Sequence, residues 1–309
     1  MKRNFLFLIF TLWFFIAWQS RTASAQTILA QDSWSDFVDE TDAFAVSPGN
    51  CGIVFYPWKR GSGIKEHTRT KTYFNSKYFT ASSYTEAVDS EDYIYFSVKT
   101  DPYTSLIINQ LSFKTKISKN VDSADIIADY GDLSGDFTFT QIGEYIDTTD
   151  ESSLYSILPD TPIIVPANDS AVFRLVIATN FGNKGSTFGL FGGSVSATYT
   201  VDLSTLTAQI SAPDTNYCFG SIADSGIPIV VNGAPGASVF YSKSGAGHSV
   251  MLDTTGHAAW NLLPAPPVST TAYIYRLDSV QSKCYSRALS DSLSLLVYPK
   301  ISPPLVRLQ

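Results

Sequence analysis

No stretch of this chain gathers cations into a patch. Its 21 Lys and Arg stand against 28 Asp and Glu, for a net charge of −7 at neutral pH. A polyanion therefore has no surface to bind, which excludes nucleic acid and anionic membrane surfaces as partners. Histidine is nearly missing too. His67, His248 and His257 are the only imidazoles, and none has ligand spacing to a cysteine, so a zinc-type centre is a poor reading. No Gly-x-Ser-x-Gly elbow marks an activated nucleophile. The glycine-rich stretch from Gly182 to Gly193 lacks the Gly-Lys-Ser/Thr ending of a phosphate loop and reads as a long hairpin connection. Many carboxylates are present, but nothing in the sequence pairs two of them for glycoside hydrolysis. These absences lead to the expectation of a chain that is not an enzyme.

Long apolar runs are absent after the first 25 residues, so no transmembrane segment is expected in the mature chain. Those 25 residues have a three-part layout. Lys2 and Arg3 precede an apolar run from Phe5 to Trp18, and Ala23-Ser24-Ala25 follows as a small-x-small cleavage pattern. That is a secretory signal peptide, with Gln26 expected as the first mature residue. Its loss removes Lys2, Arg3 and Arg21 and no acid, taking the charge from −7 to about −10. The expected location is outside the cell or on its surface. No cysteine sits in a lipoprotein position.

Aromatic residues are plentiful at 14%, whereas charged residues are only 16%. Low charge with abundant Tyr, Phe, Thr, Ser and Val favours strands over helices. Short apolar runs recur between turn signals: Ile53–Tyr56 closing at Pro57, Asp92–Lys99, Ser105–Thr115, Asp125–Tyr130, Asp136–Ile142, Ala171–Thr179 and Val195–Val201. The acidic run from Glu86 to Asp92 reads as a solvated loop. A second series spans Ile227–Val231, Ser238–Ser242, Ser249–Asp253, His257–Leu262, Ala272–Val280 and Ser290–Tyr298. The fold class is thus all-β. Residues 26–205 are expected to form a sandwich or barrel, which the resemblance below makes a jelly-roll-like β-sandwich, residues 206–300 a smaller immunoglobulin-like sandwich, and residues 301–309 a loose tail. Each sandwich is expected to fold alone.

Two stretches resemble a known group. Tyr78-Phe79-Thr80-Ala81-Ser82, Asp92 to Val98, Leu106 to Phe113, Ala124 to Tyr130 with Gly135-Asp136-Phe137, Val172 to Val176 and Thr187 to Leu190 are similar to extracellular jelly-roll modules of secreted proteins from Bacteroidetes-type bacteria. Tyr217 to Gly220, Ile229 to Gly233, Pro235 to Tyr241, Tyr273 to Val280 and Lys283-Cys284 look like the immunoglobulin-like domains of the same surface proteins. The resemblance implies a secreted or cell-surface binding or adhesion module. Its ligand would be a glycan or a partner protein. A structural spacer and an accessory part of a secreted polysaccharide hydrolase are the other readings.

Jelly rolls bind glycans through exposed aromatics that stack on sugar faces. Trp34, Tyr56, Trp58, Tyr73 and Tyr103 are the candidates, and Trp58 leads them because Pro57-Trp58-Lys59-Arg60-Gly61 reads as a turn. No cofactor is required. Calcium is the one ion the carboxylates would suit, through Asp122, Asp125, Asp129, Asp132 and Asp136, although the spacing is not that of an EF-hand and Asp and Gly are ordinary turn residues. Of the three cysteines, Cys218 and Cys284 share a domain and lie 66 residues apart. They are expected to form the disulfide, leaving Cys51 a buried thiol. Trp260 lies between them and is expected in the core.

Overall fold

A computed structural model describes residues 26–31, 45–46, 51–66, 74–77, 79–118, 123–132, 138–148, 153–179, 187–218, 222, 225–243, 245–262, 267–269 and 271–299. The chain divides into two units, Met1–Asp202 and Leu203–Gln309. The first contains β1 (Gln26–Gln31), β2 (Ala45–Val46), β3 (Ile53–Arg60), β4 (Lys65–Glu66), β5 (Phe74–Lys77), α1 (Tyr84–Asp89), β6 (Tyr93–Thr100), β7 (Thr104–Ile117), β8 (Ala124–Asp132), β9 (Phe139–Asp147), β10 (Ser153–Ile157), β11 (Ile163–Val165), β12 (Ser170–Thr179) and β13 (Thr187–Val201). The second contains β14 (Ala208–Ser211), β15 (Asn216–Cys218), β16 (Ile227–Gly233), β17 (Ser238–Lys243), β18 (Ala246–Met251), β19 (His257–Leu262), β20 (Tyr273–Gln281), β21 (Ser286–Ala288) and β22 (Ser292–Tyr298).

In the first unit one sheet has the order β10-β7-β13-β1-β2, with β11 also on β7 and β5 on β13. The other has the order β3-β6-β12-β8-β9. The first strand thus lies beside the last, and the chain crosses repeatedly from one sheet to the other, as in a jelly-roll sandwich. Period-two alternation sends one side of each strand inward. Ile94, Phe96 and Val98 meet Leu106, Ile108, Leu111 and Phe113 in one core, all of them at most 2% exposed.

β3 does not stop at Pro57. It continues to Arg60 by a bulge, because Tyr56 pairs with Ser97 but Lys59 pairs with Tyr95. The extra residue resets the alternation, so Trp58 turns inward and is fully buried. Its ring meets Phe96 edge-on at 4.7 Å and Phe113 at 5.8 Å. Gly193 of β13 makes room, since a Cβ there would come within 3.1 Å of the Trp58 ring. The glycines at 189, 192 and 193 therefore belong to a strand rather than to a hairpin connection.

The acidic run expected as a loop holds α1 instead. Ser83 caps it by accepting from the Glu86 amide, and the Glu86 carboxylate reaches back to the Ser82 amide and hydroxyl at 2.8 Å. This is a close variant of a capping box. Ala87 of α1 packs with Ala81 and Val176. Asp92, 1% exposed, accepts from the amides of Thr80 and Ala81 and holds the entry to the helix.

The second unit pairs the sheet β14-β16-β19 with the sheet β15-β22-β20-β17-β18, and β21 joins β20. β15 runs parallel to β22 while its neighbours are antiparallel, giving an immunoglobulin-like sandwich. Ile229, Val231, Val239, Leu277, Leu295 and Val297 are at most 2% exposed and form its interior.

The disulfide expectation is overturned. The disulfide-bonded cysteines are Cys51 and Cys284, and Cys218 is exposed and outside any disulfide. Cys51 is exposed as well. The register shows why Cys218 and Cys284 do not pair. Cys218 lies beside Tyr298, past the Tyr273 end of β20, which pairs with Leu295. Cys284 follows Gln281, at the other end of that strand. Nine strand residues at ~3.3 Å each separate them by roughly 25 Å or more, far beyond bridging reach.

Candidate functional site

The outer face of the five-stranded sheet is partly covered by α1, and its described residues are buried at the centre, at Val172, Arg174 and Asp129, and more exposed along β3, β6 and β9. Strand pairing fixes what it presents, because paired residues share a face. One row runs Tyr56, Ser97, Val172, Gly131, Phe139; the next runs Lys59, Tyr95, Arg174, Asp129, Gln141. Tyr56 is 42% exposed. Lys59, Lys99 and Gln141 are exposed, and Tyr95, Ser97 and Phe139 are half-buried. Tyr56 and Tyr95 are diagonal neighbours on adjacent strands, a spacing of about 7–8 Å. Tyr95 meets Tyr93 edge-on at 6.0 Å. The ring of Phe139 lies against Gly131, where a Cβ would come within 3.0 Å of it.

The floor between these aromatics is an ion pair. Arg174 donates from Nε to Asp129 Oδ1 at 2.9 Å and from Nη2 to Oδ2 at 2.7 Å. Asp129 Oδ2 also accepts from the Tyr84 hydroxyl at 2.7 Å. Asp129 is 0% and Arg174 6% exposed. The guanidinium carbon lies 3.4 Å from the Phe139 ring centroid and 4.9 Å from that of Tyr93. Burial disfavours the Arg174 charge, but the hydrogen bonds and charge of Asp129 outweigh it and raise the Arg174 pKa. Burial, then the bond and charge of Asp129, push Tyr84 up to about 12. The group is locked: a neutral phenol, a fixed cation and a carboxylate whose oxygens are already engaged. It forms a rigid, polar support for whatever rests on the face, and Asp129 has no open side from which to move a proton.

Of the sequence candidates, Tyr56 alone is placed openly on this face among the described residues. Trp58 is on the opposite side of β3, in the core. Tyr103 is also buried, at 9% exposure; it lies in the β6–β7 turn, where its amide donates to Asp101 and its carbonyl accepts from the Asp202 amide. Trp34 and Tyr73 lie outside the described residues. The calcium set comes apart. Asp129 is committed to Arg174, and Asp125 is four residues away along the same extended strand, about 13 Å. Asp132 ends β8, and Asp122 and Asp136 lie outside the described residues. Among the described residues no group of three His, Cys, Asp or Glu is placed to hold a metal. Tyr95, Ser97, Lys59, Lys99 and Phe139 were missed. Their alternation on β6 was visible, but which face stays open depends on where α1 docks.

No family model matches the chain, and no curated protein does. Among solved structures, it is similar to the CBM22-1 xylan-binding domain of Xyn10C from Paenibacillus barcinonensis, at 11% identity over 59% of this chain and 97% of that one, with a TM-score of 0.31. The tandem CBM22-1-CBM22-2 structure from the same protein covers 90% of this chain and 87% of its own at 9% identity and a TM-score of 0.30. The glycoside hydrolase domain of Endo-D from Streptococcus pneumoniae R6 matches 87% of this chain and 43% of its own, at 9% identity and a TM-score of 0.23. No helix among the described residues is long and apolar enough to cross a membrane.

Proposed function

We propose that this chain is an exported, non-catalytic glycan-binding protein whose jelly-roll unit holds sugar on the outer face of its five-stranded sheet. The observation that carries the reading is the exposed ring of Tyr56 beside Tyr95, with Ser97, Lys59 and Lys99 around them and a locked ion pair on the neighbouring strands of the same face. Flat aromatic faces take the C–H side of a pyranose, and nearby polar groups take its hydroxyls. A floor that does not rearrange lowers the ordering cost of binding. Phe55, Trp58, Phe96, Phe113 and Phe173 are taken up by the core, whereas Tyr56 keeps its ring in solvent. The signal-like N-terminus and a disulfide agree with export into an oxidising compartment. The likeness to surface modules of Bacteroidetes-type bacteria stands as part of the same proposal.

The test is a glycan array probed with the chain from Gln26 onward, with and without calcium. Binding that does not depend on calcium is expected. Against the best glycan, Tyr56→Ala should weaken affinity by about threefold to tenfold, the worth of one stacking contact. An array without a binder, or affinity unchanged in Tyr56→Ala combined with Lys99→Ala, would refute the proposal.

A further inference from the structure

The immunoglobulin-like unit carries an aromatic cluster that closing a sandwich does not require. Tyr241 of β17 pairs with Leu277 on one side and His248 on the other, which puts its side chain on the interior side of its sheet. Its ring lies 5.3 Å from that of His248, with the planes 24° apart, and 5.5 Å from that of Trp260, with the planes 26° apart. His248 is on β18, an edge strand. Trp260 is on β19, an edge of the opposite sheet, where it pairs with Ile229. The three rings therefore form a ladder across the open side of the sandwich. An aliphatic seal there would be buried, as Val231 and Val239 are. Here His248 is exposed, while Tyr241 and Trp260 are half-exposed. The expectation of a core Trp260 is thus met only in part.

Two further features point to a ligand. The hairpin that brings Tyr241 and His248 together is built of small residues at its tip, and among the described residues a Cβ at Gly245 or Gly247 would meet nothing within 4 Å, so the tip is open. Beneath them Tyr275 is 0% exposed, and among the described residues its hydroxyl has no hydrogen-bond partner. A phenylalanine would fill that volume without an unmatched donor. Tyr275 pairs with Lys243, whose ammonium lies 5.5 Å from its ring centroid. Tyr241 is close enough for the charge of Tyr275 to add to burial in raising its pKa. Aromatic faces and a cation thus lie at one edge.

We infer that this edge is a second carbohydrate site, distinct from the Tyr56 face and on the other unit. A pyranose ring rests on the Trp260–Tyr241–His248 ladder, and its hydroxyls are met by Lys243 and the Tyr241 hydroxyl, while the buried Tyr275 packs beneath them. The chain would then carry one sugar site on each unit.

The experiment titrates the whole chain with neutral β-linked hexasaccharides of xylose, glucose and N-acetylglucosamine. It follows the Trp260 indole and His248 imidazole resonances by NMR. Saturable shifts at both are expected with at least one sugar, and they should persist in Tyr56→Ala. His248→Ala, at an exposed position, should weaken that phase by about threefold to tenfold without changing the melting temperature. Lys243→Ala should weaken it as well, whereas Tyr275→Phe, at a buried position, should leave the fold at least as stable. Shifts absent at millimolar sugar, or lost in Tyr56→Ala, overturn the inference, as does unchanged affinity in both His248→Ala and Lys243→Ala. Loss of the Tyr56 phase alone bears only on the first site.

Discussion

Asp129→Asn tests whether the floor of the first site is as rigid as its geometry implies. Asp129 accepts three hydrogen bonds, two from Arg174 and one from Tyr84, in a place where neither ion is more than 6% exposed. Removing the charge leaves a guanidinium desolvated between Phe139 and Tyr93 with no counter-ion. Breaking a buried pair from one side costs about 3–5 kcal/mol. Asparagine keeps one oxygen for Arg174, so the lower end, about 3 kcal/mol, is expected. For a unit of this size that is a fall in melting temperature of roughly 6–12 °C. Tyr84→Phe removes only the tether of α1 and should cost about 1.5 kcal/mol, the worth of a hydrogen bond to a charged group.

The assay is scanning calorimetry with urea titration on the whole chain, assigning transitions to units by their response to each variant. A double replacement, Asp129→Leu with Arg174→Met, should cost less than Asp129→Asn alone, because it removes the desolvation penalty with both charges. A loss under ~1 kcal/mol in Asp129→Asn, or a double variant as costly as the sum of the single ones, would falsify the claim that a mutually dependent pair holds this floor.

Trp58→Ala should cost about 3–5 kcal/mol as a core cavity, and Trp58→Phe should leave glycan affinity unchanged; a specific loss of binding in the phenylalanine variant would return Trp58 to the surface. Tyr84 and Tyr275 are both raised to about 12, by burial first. Their folded forms favour the protonated phenol, so the stability they confer is fully present below pH 10 and is lost as pH rises from 10 through 12. Melting temperature against pH, read beside tyrosinate absorbance, should show that decline, and a flat profile above pH 10 would contradict it. Alkylation of the unreduced native chain should label Cys218 and spare Cys51 and Cys284; modified Cys284 would overturn the assignment.

The all-β class was legible because alternation survives in strands such as Tyr93–Thr100, where Ile94, Phe96, Val98 and Thr100 point one way. What was hidden depends on non-local events. The acidic run concealed α1 because its charge pattern suits a loop, although Ser83 and Glu86 stand at capping-box spacing. Domain membership proposed a partner for Cys284 but does not determine which end of a sheet a cysteine occupies; the parallel pairing of β15 with β22 does. Asp125 and Asp129 looked like neighbours on paper, whereas an extended strand spreads four residues over about 13 Å.

The face that would bind sugar is decided at one irregular step. In regular alternation Tyr56 and Trp58 would share a side of β3, giving two exposed aromatics and sending Lys59 toward the core. Pro57 brings no amide to the sheet and is tolerated where pairing is interrupted. Both Pro57 and Trp58 sit opposite Phe96 on β6, so the chain gains one residue and the alternation reverses. Trp58 then fills the space left by Gly193, Lys59 joins Tyr56 outside, and the largest aromatic stabilises the sandwich. Tyr56 keeps solvent on its ring because the ion pair and α1 occupy the other half of the sheet. The same residues that made Trp58 look like a loop contact are those that bury it.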